Sequence, residues 1–88
     1  MSRVSAEQVR QFILSYLSTK LYSSGRTLPS DLKDDYDLVR EGVIDSLGML
    51  RLTVELEAHF GEIDFAELDP EEMTIVGPLC RYVAEALK

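Results

Sequence analysis

The stretch that decides the fold is residues 46–61, which read Ser46-Leu47-Gly48-Met49-Leu50-Arg51-Leu52-Thr53-Val54-Glu55-Leu56-Glu57-Ala58-His59-Phe60-Gly61. At 100° per residue the apolar side chains fall into two rows, namely Leu47, Leu50 and Val54, and Met49, Leu52, Leu56 and Phe60. The narrow opposite face is predicted to hold Gly48, Arg51, Glu55, Ala58 and His59. A helix that is apolar over most of its circumference packs among several neighbours. Residues 46–60 are therefore predicted to form a helix with neighbours on more than one side, and Gly61 is predicted to be its C-terminal stop.

Upstream of this stretch, residues 5–21 are predicted to form a first helix. Its apolar side chains recur at helical spacing at Val4, Val9, Phe12, Ile13, Tyr16, Leu17 and Leu21. Ser5 and Gln8 have the spacing of a capping box, and Val4 and Val9 occupy the positions of a hydrophobic staple. Residues 22–45 lose this periodicity. They are predicted to be a long loop, held to the core by scattered apolar residues such as Leu28, Leu32, Leu38 and Ile44.

Downstream, two further helices are predicted. Asp69 is followed by Pro70 and two acids, the usual start of a helix, here a short one over residues 69–73. Thr74 is predicted to cap a last helix over residues 74–87. No strand pattern, internal repeat or domain boundary is visible. The prediction is one all-α domain over residues 1–88, a four-helix bundle with a long loop between helices 1 and 2 and a short third helix.

Composition restricts the class of function. The 88 residues include 16 acidic and 9 basic side chains, with a formal net charge of −7. Such a surface repels nucleic acid and anionic membranes, so basic protein surfaces are the expected partners. The single cysteine excludes an intramolecular disulfide and fits a reducing compartment. With no apolar run of membrane-spanning length, a cytoplasmic, monomeric protein that binds neither membrane nor nucleic acid is expected.

Few residues are able to carry covalent chemistry. Ser46 stands at the start of the second helix, beside the positive end of the helix dipole, where a phosphate ester is favoured. As an alternative, Ser46 is only the N-cap of that helix. His59 lies on the same helix about 20 Å further along, too far to act as its base. Cys80 falls inside the last helix and is expected to be a buried, inert thiol. The chain is therefore not expected to be an enzyme.

The run Glu41-Gly42-Val43-Ile44-Asp45-Ser46-Leu47, continuing to Phe60-Gly61, resembles the acyl carrier protein family. In that family an Asp-Ser-Leu serine opens the second helix, and Phe-Gly closes it. The similarity continues through Asp69-Pro70-Glu71 and Thr74-Ile75-Val76 and covers essentially the whole chain. It implies a carrier that is loaded with 4′-phosphopantetheine from coenzyme A on Ser46, flanked by Asp45 and Leu47. The expected partners are a phosphopantetheinyl transferase and acyl-loading, condensing or tailoring enzymes.

The resemblance also suggests which side chains serve the cargo and the partners. An acyl tail is expected to shelter in an apolar interior lined by Leu47, Leu50 and Val54, although ordinary core packing explains these residues equally well. Partner enzymes are expected to contact the second helix at Gly48, Met49, Arg51 and Glu55.

Gly48 and Arg51 depart from the pattern of fatty-acid-synthesis carriers, which usually have an acid two residues after the serine and more acids along this helix. A carrier of a specialised polyketide or fatty-acyl pathway is therefore favoured. The alternatives are a D-alanyl or aminoacyl carrier that works with an adenylating ligase, a housekeeping fatty-acid-synthesis carrier, and a helical interaction module without an arm.

Overall fold

A computed structural model describes residues 4–23 and 32–87, with only the backbone for residues 21–23. In these ranges the chain forms four α-helices, α1 (Ala6–Ser23), α2 (Ser46–Phe60), α3 (Pro70–Met73) and α4 (Val76–Ala86). A short 3-10 helix, Phe65–Glu67, lies between α2 and α3. The described part contains no strand, only an isolated antiparallel bridge between Asp37 and Ile75. The all-α class predicted from the sequence is confirmed.

The first helix begins at the capping box that the sequence predicts. The Ser5 amide donates to Gln8 Oε1 over 2.8 Å, and the Gln8 amide donates to Ser5 Oγ over 3.1 Å. Val9 is fully buried and Val4 packs against the same core, as a hydrophobic staple requires. These contacts fix the start of α1. The side chain of Leu21, which the prediction also used, lies outside the described residues.

The core is a single cluster between the helices. Its fully buried members come from α1, from the loop before α2, from α2 and from α4, and they are Val9, Ile13, Leu17, Leu32, Leu38, Leu52, Leu56, Val76, Leu79, Cys80 and Val83. Leu32 and Leu38 confirm that the loop is anchored at apolar side chains, whereas Leu28 falls outside the described residues. Burial of these side chains supplies the main stabilisation, because each contributes about 1.5 to 3 kcal/mol.

Backbone hydrogen bonds tie the loop before α2 to the start of α4. The Leu38 amide donates to the Thr74 carbonyl over 2.8 Å, and the Val76 amide donates to the Tyr36 carbonyl over 2.9 Å. Thr74 was predicted to cap α4, and this is wrong. It ends α3, while Ile75 precedes α4 without a side-chain cap. The Tyr36 carbonyl in the loop accepts the hydrogen bond of a first-turn amide of α4 that a capping side chain would otherwise accept.

A charged cluster holds the same loop from the other side. The guanidinium of Arg10 donates to the Leu32 carbonyl and to Asp34, and Arg81 lies 3.5 Å from Asp34. The hydrogen bond from Arg10 lowers the pKa of the Asp34 carboxyl from its ordinary value. A Cβ atom on Gly77 would come within 2.9 Å of the Asp34 carbonyl oxygen. Only glycine therefore allows α4 to approach the loop this closely.

Candidate functional site

Ser46 is the first residue of α2 and its side chain is exposed. The residue before it, Asp45, is the N-cap, with Oδ1 accepting from the Gly48 amide over 2.7 Å. The alternative in which Ser46 is only the N-cap is therefore wrong. Within the described residues, no side chain or carbonyl hydrogen-bonds to Ser46 Oγ, so the hydroxyl has no structural role that would occupy it.

The first turn of α2 provides a favourable setting for an anion. Its 15 residues align their peptide dipoles, which leaves partial positive charge at the Ser46 end. The Gly48 amide is used by Asp45, and the Met49 amide donates to the Asp45 carbonyl over 2.9 Å. The amides of Ser46 and Leu47 have no intrahelical acceptor at this position. A phosphate on Ser46 Oγ would therefore lie next to two amide donors.

The row of Leu47, Leu50 and Val54 was expected to line an apolar interior, and the structure contradicts this. Leu47 is 56% exposed, Leu50 61% and Val54 58%. The other row of α2 packs inward, with Met49, Leu52 and Leu56 buried beside Thr53. The prediction that α2 is packed around most of its circumference is therefore wrong, because a helix on the surface of a small bundle buries only one side, and here that side contains the second row. We refer to Leu47, Leu50 and Val54 as the outer row.

The four residues predicted to contact partners do not share one surface. Met49 is only 5% exposed, so its proposed role in partner binding is wrong. Its burial follows from its place in the inner row. Arg51 and Glu55 are exposed, as a partner contact requires. Gly48 is half-buried, and a Cβ atom there would lie 3.0 Å from Ile44 Cβ and 3.2 Å from Asp45 Oδ1.

An open groove of about 840 Å³ runs beside Ser46. One wall comes from the C-terminal half of α1, with Tyr16, Leu17 and Lys20, and the other from Val43, Ser46 and Arg51. Sequence reasoning missed this groove because its walls come from segments about thirty residues apart. Burial and, secondarily, the charge of Glu55 raise the pKa of the Tyr16 phenol above its ordinary value.

The other reactive side chains lie away from this site. His59 is exposed and stacks on Phe12 with ring centroids 4.5 Å apart. It is placed near the opposite end of α2, as the spacing along the helix predicted. Cys80 is buried in the core, and burial raises the pKa of its thiol to about 12. In residues 4–23 and 32–87, no group of histidine, cysteine and acidic side chains has an arrangement suited to a metal ion.

No protein-family pattern, no curated protein and no solved structure matches the chain. In the part of the chain that the structure describes, no helix combines the length and the apolar character needed to cross a membrane.

Proposed function

We propose that this chain is a carrier protein of the acyl carrier type, loaded with 4′-phosphopantetheine on Ser46. One observation carries the proposal: Ser46 is exposed at the start of a 15-residue helix whose capping is done by Asp45. A hydroxyl in this position is accessible to a second protein and needs no rearrangement of the fold. The four helices and the Asp-Ser-Leu run at the start of α2 agree with the resemblance.

The loading reaction assigns Ser46 the role of nucleophile. Its Oγ attacks the phosphorus of coenzyme A that bears the pantetheine group, so one O–P bond forms and the P–O bond to the adenosine side breaks. Adenosine 3′,5′-bisphosphate leaves, and the hydroxyl proton passes to a base of the transferase. Among the described residues, His59 lies at the far end of α2, and the carboxylate next to Ser46, that of Asp45, already accepts a hydrogen bond from the Gly48 amide. Activation must come from the partner enzyme.

The residues around Ser46 fit the arm. The amides of Ser46 and Leu47 and the dipole of α2 favour a phosphodiester there. The open groove beside Ser46 leaves space for a flexible chain. When bound, the arm supplies a terminal thiol that holds an acyl group as a thioester. The carrier itself contributes position and access, and partner enzymes supply the catalysis.

The outer row of α2 is the proposed docking face for these enzymes. It exposes three large apolar side chains by more than half, and their contact with water is unfavourable in free energy. They begin at Leu47, directly after the loading residue, so a bound partner would have Ser46 within its reach. Arg51 and Glu55 flank the row and are suited to select partners by charge. Leu47, Leu50 and Val54 are thus assigned to docking and no longer to an acyl pocket.

Arg51 favours a specialised polyketide or fatty-acyl pathway over housekeeping fatty-acid synthesis. Carriers of the latter kind present acids along α2, which match basic patches on their enzymes. A positive charge beside the docking face repels such a patch and reduces affinity. A D-alanyl or aminoacyl carrier served by an adenylating ligase is the alternative within the same class.

A helical interaction module without an arm is the second candidate, because the exposed outer row favours protein binding whether or not Ser46 is loaded. The two candidates differ in their need for Ser46. Peptide mapping after incubation with coenzyme A and a phosphopantetheinyl transferase is expected to find the added group on the peptide that contains Ser46. Retention of all partner binding by Ser46→Ala, together with an unmodified wild-type peptide, would favour the interaction module.

A further inference from the structure

The groove beside Ser46 differs in chemistry from the outer row. It lies between α1 and the first turn of α2, and the apolar part of its lining includes Leu17, Val43 and Ile44. Its volume of about 840 Å³ falls within the range of small-molecule sites. Because Ser46 itself lines the groove, a group attached to its Oγ can enter the groove directly.

Within residues 4–23 and 32–87, two cationic side chains line the groove, and both are exposed. Lys20 projects from α1, with Nζ 5.6 Å from the centre of the Tyr16 ring, and Arg51 projects from α2. Among the described residues, Arg51 has no ion-pair partner within 4 Å, whereas Arg10 and Arg81 are paired with Asp34. Of the described residues on the lining, Asp45 is the one acid, and its carboxylate is engaged with the Gly48 amide. In a chain with a net charge of −7, this is an unusual place for positive charge.

We propose that the groove between α1 and α2 is a binding site for the cargo, and that it selects an acyl group ending in a carboxylate. The proposal rests on the loading of Ser46. The apolar part of the lining would contact the methylene part of the arm, and Lys20 and Arg51 would face the terminal carboxylate. Both cations would repel the ammonium group of an aminoacyl cargo. A simple alkanoyl group would gain nothing from them. The charge of the groove therefore favours a dicarboxylic acyl group over the aminoacyl alternative.

The test compares three acyl groups of equal carbon number on the ¹⁵N-labelled protein. A permissive phosphopantetheinyl transferase loads Ser46 from coenzyme A, malonyl-, propionyl- or β-alanyl-coenzyme A, and intact mass confirms each product. Backbone ¹H–¹⁵N spectra then report on Val43 and Ile44, and hydroxylamine measures the accessibility of the thioester. Each form is repeated with Arg51→Gln, and with Lys33→Gln as a control that removes the same charge from an exposed residue outside the groove.

The malonyl form is expected to shift the signals of Val43 and Ile44 away from their positions in the unacylated form. Its thioester should react with hydroxylamine about two- to fivefold more slowly than the same thioester on Arg51→Gln, the factor that one exposed ion pair supplies. Lys33→Gln should behave as the wild type. The propionyl and β-alanyl forms should show neither effect.

Three outcomes would overturn the proposal, and they are distinguishable. If each of the three thioesters reacted at the same rate on the wild type as on Arg51→Gln, and the malonyl form left the signals of Val43 and Ile44 at their unacylated positions, the groove would not bind the carboxylate, while the carrier function would stand. If the unacylated arm alone produced the Arg51-dependent shifts, the cations would bind the phosphodiester and not the cargo. If coenzyme A produced no adduct on Ser46, both this proposal and the carrier function would fail.

Discussion

The two apolar rows of α2 should respond very differently to the same substitution. Leu52 is fully buried in the inner row, whereas Leu50 is 61% exposed in the outer row. Leu52→Ala removes buried methyl groups and leaves a cavity, which costs about 2 to 5 kcal/mol. For a domain of this size, a loss of about 3 kcal/mol lowers the melting temperature by roughly 12 to 24 °C.

Leu50→Ala should have a much smaller effect on stability. Its side chain has about two fifths of the burial of a core leucine. Full burial of a leucine contributes about 2 kcal/mol, so truncation of Leu50 should lose at most about 0.8 kcal/mol. The higher helix propensity of alanine offsets part of this loss. Urea unfolding of the two variants is therefore expected to differ by at least about 1 kcal/mol, with Leu50→Ala close to the wild type.

The same pair of variants separates docking from folding. If the outer row docks the transferase, Leu50→Ala should reduce kcat/KM for loading about five- to thirtyfold, the effect of losing 1 to 2 kcal/mol of contact energy. Leu52→Ala, measured where it remains folded, should be loaded at nearly the wild-type rate. Equal destabilisation by the two variants would place Leu50 in the core. Wild-type loading of Leu50→Ala would show that the outer row is not a docking face.

Three further predictions follow from single side chains. Arg51→Glu should raise acylation of the loaded protein by a fatty-acid-synthesis malonyl transferase by up to about fivefold, and an unchanged rate would refute the role of Arg51 in partner selection. Replacing a helical glycine by alanine usually raises the free energy of unfolding by about 1 kcal/mol, but Gly48→Ala should not, because its Cβ would crowd Ile44 and the Asp45 cap. A clear increase measured by urea unfolding would contradict that packing. The pKa of Asp34 is lower in the folded chain, so its stabilisation is present above its ordinary value of 3.8 and is lost as pH falls through the folded value. In Asp34→Asn the urea concentration at the unfolding midpoint should therefore fall less steeply with decreasing pH than in the wild type. An unaltered pH dependence of the midpoint would be evidence against the contact with Arg10.

Several helix ends were predictable because short-range sequence signals mark them. The capping box at Ser5, the Asp69-Pro70 start of α3 and the stop at Gly61 each depend on residues within one turn. The 3-10 helix Phe65–Glu67 has such a signal too, since Asp64 Oδ1 accepts from the Ala66 amide over 2.9 Å. The sequence interpretation overlooked it.

The choice between the two apolar rows of α2 was not predictable from the helix alone. Both rows have similar hydrophobicity and spacing, so periodicity cannot say which faces the core. That choice is made by the segments that pack on α2. The anchoring of the loop through Leu38 and the Thr74 carbonyl depends on such distant contacts, and so does the groove next to Ser46. The cap at Asp45 was also missed because Asp45 and Ser46 both favour that position.

The central claim is that Ser46 carries a prosthetic arm. Its most direct test is the intact mass of the protein after incubation with coenzyme A and a phosphopantetheinyl transferase. The wild type should gain the mass of one 4′-phosphopantetheinyl group, Ser5→Ala should gain the same, and Ser46→Ala should gain nothing. An unmodified wild type, or an equal addition to Ser46→Ala, would contradict the account.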